Sequence, residues 1–165
     1  RACLGLGQLA ILAGRSDEGL DLLRNALAAV PLDEDQGKTS EMTILTRLTD
    51  ELIKTHAFDE LETLQARYRT VAKAESRRKG QNICWEEMCA IYSSARLHEA
   101  HGRPEEAVQE WRLLQDLPRE NPEAVWTMPH GREMFETEAG FRLKFHDPAT
   151  SERERKLIAQ LPWYL

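Results

Sequence analysis

Apolar residues recur along this chain at intervals of three and four. Leu20, Leu23, Leu27 and Val30 share one helical face, and so do Leu45, Leu48 and Leu52. Leu61, Leu64, Tyr68 and Val71 follow with the same spacing, and Trp85, Met88, Tyr92 and Ala95 repeat it. These are helix periods, and no segment alternates with the period of two that a half-buried strand requires. The punctuation agrees. Pro104 suits a first helical position after a turn at Gly102. Asn121–Pro122–Glu123 reads as an N-cap, a first-turn proline and an acid facing the positive end of the helix dipole. Ser151 and Glu154 have capping-box spacing, and Gly80 fits the position just past a helix end. The pattern predicts helices over 2–13, 16–30, 40–55, 58–78, 83–101, 104–117, 122–128, 131–145 and 151–160, with the clearest loop at 33–40.

Composition narrows the class. The 165 residues are 41% hydrophobic and 30% charged, as expected of a folded domain or a short repeat array. A net charge of −6 is a poor match to nucleic acid, whose phosphates need a basic face. No apolar run reaches the length of a membrane span, and no signal-peptide pattern is read within these residues, although targeting signals could lie upstream of them. Arg1 opens directly into helical pattern, so a fragment with further repeats or a cap upstream is expected. The three cysteines, Cys3, Cys84 and Cys89, form no CxxC and lie in apolar contexts. They read as buried thiols of a reducing compartment, hence a cytoplasmic protein.

One bend is written more than once. Residues 12–27, LAGRSDEGLDLLRNAL, and residues 100–114, AHGRPEEAVQEWRLL, share a glycine turn, two acids, a small residue and then large apolar ones. Gly14 and Gly102 supply the turn. Gly7 and Ala95 before it, and Gly19 and Ala107 after it, permit two helices to approach closely, while Leu23 and Trp111 fill the space beyond. The pattern resembles the tetratricopeptide repeat, a helix–turn–helix unit of about 34 residues. In residues 3–31, Leu6–Gly7, Gly14, Asp17–Glu18, Gly19, Leu23, Ala26 and Pro31 fall at family positions. In residues 88–118, Ala95, Gly102, Glu105–Glu106, Ala107 and Trp111 do so, with Leu114 in place of a small residue and Pro118 one place early. Ala57–Phe58–Asp59–Glu60–Leu61 is a decayed copy in which His56 replaces the glycine and Leu61 the small residue. The turns at 14, 56 and 102 stand further apart than the family period, so the units are longer than standard. The resemblance implies an all-α fold of stacked antiparallel helix hairpins, a TPR-like α-solenoid of about three to four hairpins. Residues 1–118 hold the repeats, and 119–165 a degenerate fourth hairpin or C-terminal capping helices of the same domain.

In that family the first helix of each hairpin lines the concave, ligand-facing side. The resemblance places Gln8 there in the first unit, Arg47, Asp50 and Lys54 in the second, and Tyr92, Arg96 and Glu99 in the third. Such a face suits a peptide, with cations for carboxylates and Tyr92 as an apolar anchor; the competing reading is a solvated helix face. Arg67, Arg69, Lys73, Arg77, Arg78 and Lys79 form a second candidate, a basic stripe, whose plainer reading is cations at a helix C-terminal end. The expected function is therefore a protein–protein scaffold or adaptor that binds a peptide, helix or domain, or alternatively a sensor or regulatory arm of a larger regulator.

No catalytic constellation is complete, so the chain reads as a non-enzyme without cofactor. His98 and His101 flank Glu99, but no third ligand is spaced to complete a metal site. Gly37–Lys38–Thr39 lacks the preceding glycine and strand of a phosphate loop. Trp126, Trp163 and Tyr164 concentrate aromatics toward the end, where LPWYL reads either as a segment packed on the last hairpin, the commoner place for tryptophan, or as an exposed motif for another chain.

Overall fold

Three turns close in the same way, although their residues differ. In a computed structural model that describes residues 2–30, 36–78, 80, 85–122 and 131–161 (side chains of 36–40 and 78 excepted), Gly14, His56 and Gly102 have φ of +76°, +58° and +64°. At each, the turn residue N–H donates to the carbonyl three residues back, and the next N–H donates five back. The second bond runs Arg15 to Ala10 at 2.9 Å, Ala57 to Leu52 at 2.8 Å and Arg103 to His98 at 2.8 Å. This is the Schellman closure, which satisfies helix-end carbonyls and needs a left-handed residue at its bend. The following helix then starts identically, with Gly19, Leu61 and Ala107 donating to Arg15, Ala57 and Arg103.

The described residues form eight helices: α1 (Ala2–Leu12), α2 (Ser16–Ala28), α3 (Gln36–Lys54), α4 (Phe58–Arg78), α5 (Trp85–Ala100), α6 (Pro104–Glu120), α7 (Gly131–His146) and α8 (Glu152–Ala159). The fold is all-α among the described residues, and each helix packs on the next in chain order, with α5 also touching α3. Across the first and third of these three-residue turns the chain doubles back at small residues, Gly7 and Gly19 in one and Ala95 and Ala107 in the other. A Cβ on Gly19 would lie 2.4 Å from Ile11 Cγ1 and 3.0 Å from the Gly7 carbonyl oxygen, so only glycine fits where α1 crosses α2. Nine residues past each turn stand Leu23, Gln65 and Trp111, all buried. Gln65 satisfies its amide by donating to the Ala90 carbonyl at 2.8 Å and accepting from Ser93 Oγ at 3.0 Å.

The core runs through all the hairpins. Leu23, Leu45, Leu48, Leu52, Leu61, Tyr68, Met88, Trp111, Leu114 and Phe135 are fully buried. Each large apolar side chain so buried contributes about 1.5–3 kcal/mol. Side-chain bonds fasten adjoining hairpins: Arg24 on α2 forks onto Glu60 on α4 at 2.8 and 2.6 Å, and Ser16 Oγ donates to Glu51 on α3.

Three boundaries depart from the sequence pattern. Residues 36–40 are helical, so the expected loop at 33–40 is shorter than its polar composition implied. α6 runs through Pro118 to Glu120 instead of stopping at 117, because the proline ring is buried and only the last turn lies beyond it. Asn121 then closes α6, its side-chain amide donating to the Leu117 carbonyl at 2.8 Å; the helix that its cap position predicts falls on residues outside those described. The helix expected at 122–128 lies almost entirely outside the described residues, as do Cys84, Trp126, Trp163 and Tyr164. Gly80 has φ +65°, and Ser151 and Glu154 form the reciprocal capping box that opens α8.

Candidate functional site

The residues expected on the concave face divide into two sets. Tyr92, Arg96 and Glu99 lie along one face of α5, and α7 covers that face with Glu138, Arg142 and His146 at matching spacing. Tyr92 is 1% exposed and donates its hydroxyl proton to Glu138 Oε1 at 3.1 Å, while accepting from Arg96 Nη1 at 3.2 Å. Tyr92 therefore anchors this chain's own α7, not a ligand, which corrects the expectation of an open aromatic. Its ring meets Trp111 edge-on at 5.5 Å, and the Arg142 guanidinium lies 5.8 Å from the Trp111 ring centre.

Glu99 is the centre of this network. Its Oε1 accepts from Trp111 Nε1 at 3.0 Å and lies 2.9 Å from His146 Nε2; its Oε2 faces Arg142 Nη1 at 3.2 Å and Arg96 Nε at 3.5 Å. Burial pushes this carboxyl up, but the His146 hydrogen bond and the two guanidinium groups outweigh it and hold it below its ordinary value. Glu138 responds oppositely. It is 3% exposed, its Oε2 has no partner, and burial raises its carboxyl above the ordinary range despite the Tyr92 bond and the nearby guanidiniums.

Arg47, Asp50 and Lys54 remain on α3. Arg47 and Lys54 are exposed and Asp50 is half-buried. Burial pushes the Asp50 carboxyl up to about 6, against the pull of Lys54 and Arg47. Gln8 on α1 is half-buried.

Arg67 leaves α4 on a different side from Arg69, whereas Arg69, Lys73 and Arg77 recur every four residues along one side. Arg67 Nε reaches Glu41 of α3 at 2.6 Å, whereas Arg69 pairs with Glu110 of α6 and donates to Ser94 of α5. Two residues apart on a helix is about 200°, so the two guanidiniums leave opposite sides. Lys73 and Arg77 are exposed; the Arg78 side chain and Lys79 lie outside the described residues. His101, in the turn after α5, lies 3.8 Å from Asp59 and 3.6 Å from Glu62 and so joins that turn to α4. Among the described residues no group of three His, Cys, Asp or Glu could hold a metal, and no helix is long and apolar enough to cross a membrane.

Sequence reasoning missed a groove of about 960 Å³ between α6, the end of α7 and the turn into α8. Arg112, Gln115 and Asp116 form one wall; Lys144, His146, Asp147 and Thr150 form the other, with Glu154 at the mouth. The second wall is tightly built. Thr150 N–H donates to the Asp147 carbonyl at 3.0 Å, Arg155 donates to the same carbonyl, and Lys144 bridges to Glu154 at 2.9 Å. That lysine, with Ser151, lowers the Glu154 carboxyl to about 2. His146 belongs to both features, since its Nε2 meets Glu99 inside while the residue lines the groove. The wall residues are scattered over 108–154, and the capping box was its one legible part.

No family model matches the chain, and no curated protein or solved structure is significantly similar to it.

Proposed function

We propose that this chain is a TPR-like helical scaffold that docks a peptide or protein segment in the groove between α6 and the α7–α8 turn. The observation that carries this reading is the groove itself, about 960 Å³ with cations, anions and amides on rigid walls. An extended peptide supplies backbone donors and acceptors along its length and charged groups at intervals. Arg112, which forms no ion pair with a described residue, suits a carboxylate on such a segment, and Asp147 suits a basic group. The repeated turn signature supports the family reading, because hairpins of this kind bury their apolar faces by stacking and leave a long surface open. Arg47 and Lys54 on α3 offer a second stretch of that surface. The alternative reading, a regulatory arm of a larger signalling or transcriptional protein, draws on the apolar outer face of α1, which fits a module embedded in something larger.

The test is site-specific photocrosslinking in native lysate from Gln115 and, separately, from Lys54. A partner captured from Gln115, and lost in an Arg112→Glu variant with an unchanged thermal melt, supports the groove. A partner captured from Lys54 alone moves the docking surface to α3. Capture of the same bands by the folded Arg112→Glu variant overturns the groove assignment.

A further inference from the structure

The outer face of α1 is apolar and open. Leu6 is 55% exposed and Leu9 62%, and Ala2 one turn away is exposed as well. The repeated turns give each of these residues two counterparts. Counting back twelve, eight and five positions from the turn gives Ala2, Leu6 and Leu9 on α1. The same count gives Ile44, Leu48 and Glu51 on α3, and Ala90, Ser94 and Leu97 on α5. All six counterparts are buried, none more than 4% exposed.

What covers them is recorded in the hydrogen bonds. Ser16 of α2 donates to Glu51, Gln65 of α4 donates to the Ala90 carbonyl, and Arg69 of α4 donates to Ser94. The second helix of each hairpin therefore closes this face of the next hairpin's first helix. Among the described residues, α1 is the hairpin-first helix that has the face without the cover.

We propose that Ala2, Leu6 and Leu9 seat a further helical hairpin carried by the same polypeptide ahead of Arg1, its second helix packing on α1 as α2 packs on α3. The seam also specifies that helix. Glu51 and Ser94 meet polar side chains, whereas Leu9 and Leu6 require apolar ones at the positions equivalent to Ser16 and Arg69. Two further features favour this occupant over a second copy. The helix that would meet α1 in a head-to-tail assembly is α8, whose exposed Glu152, Arg153 and Lys156 surround a single exposed leucine, Leu157, and so offer one large apolar side chain to a seam that presents Leu6 and Leu9. The register places the occupant as a second helix of the same repeat, not as another α1. This inference does not rest on the groove assignment.

The experiment is thiol labelling in the native, full-length polypeptide, with Leu9→Cys as probe, Leu6→Cys as its duplicate, and exposed Lys54→Cys as reference. Light scattering runs in parallel. The expected result is labelling of Leu9→Cys and Leu6→Cys at least roughly tenfold slower than Lys54→Cys in a monomer, with the difference abolished by denaturant. Equal rates overturn the proposal. So does protection that appears only as the protein dimerises with concentration, which assigns the face to a second copy. A reading frame with fewer than about 30 codons ahead of Arg1 overturns it as well, since that is too short for a hairpin.

Discussion

At His56 a side chain with a Cβ occupies the left-handed region that Gly14 and Gly102 fill in the other two turns. Left-handed backbone costs a residue with a Cβ about 1–2 kcal/mol. Nothing lies within 4 Å of a Cβ built on Gly102, so Gly102→Ala isolates that backbone term, and a loss of about 1 kcal/mol is expected in urea denaturation. His56→Gly reverses the sign and gains a smaller amount, because the glycine loosens the unfolded chain and the His56–Phe58 ring contact at 5.8 Å is lost. The turn at 56 was legible only by alignment with its neighbours, since histidine carries no turn signal of its own. Asp50 shows what spacing cannot give. Its place on α3 was readable, but its partial burial was not. Its carboxyl is raised to about 6, so its contribution to stability is complete below the unfolded value of 3.8 and is lost as pH rises through 6. Asp50→Asn removes that loss. The variant is expected to match the parent near pH 4 and exceed it by about 1–2 kcal/mol at pH 8, read from urea midpoints.

The pairing of α5 with α7 places two carboxylates in one interface with opposite responses to pH. Glu99 is held low by His146, Arg142 and Arg96 in spite of burial, so its contribution is present above the ordinary carboxylate range and falls away as pH drops through its lowered value. Glu138 is held high by burial, so its contribution is present in acid and is lost as pH rises. The two glutamine variants are therefore expected to diverge. Glu99→Gln leaves two half-buried guanidiniums under-compensated and costs about 2–3 kcal/mol at pH 7, with a deficit that narrows toward pH 3. Glu138→Gln is neutral near pH 4 and stabilising at pH 7. Thermal melts of both variants across this range check the pair, and parallel shifts would remove the claim of opposed linkage. Periodicity placed Tyr92, Arg96 and Glu99 on one face correctly. It did not identify what meets that face, because Glu138, Arg142 and His146 lie some 46 residues further along, beyond a stretch whose pattern gave no register. The i, i+4, i+8 spacing of those three was the available signal, visible only once the α5 ladder is set beside it.

Over the whole molecule, helices pack chiefly on their sequence neighbours, so stability is spread along the chain as local hairpin terms and interface terms. The all-α fold was legible because each helix carries its own period and three turns share one signature. The groove was not, because it arises where the α7–α8 joint departs from that signature, with the Asp147–Thr150 turn and a capping box in place of a left-handed bend. The same layout predicts an uneven distribution of local opening. α5 packs against α3, α4 and α6 and carries the Glu99 network to α7, whereas α1 packs chiefly on α2 and exposes Leu6, Leu9 and Leu12, and α8 chiefly on α7. Native-state hydrogen exchange on residues 1–165 is therefore expected to leave the α5 amides slowest, opening only with global unfolding. α1 and α8 should exchange at least roughly a hundredfold faster, through fraying that leaves the centre intact. Uniform protection from α1 to α8 would mean a single cooperative unit and would contradict nearest-neighbour stabilisation. Slow exchange in α1 alone would show its apolar face already covered in this segment, by a second copy.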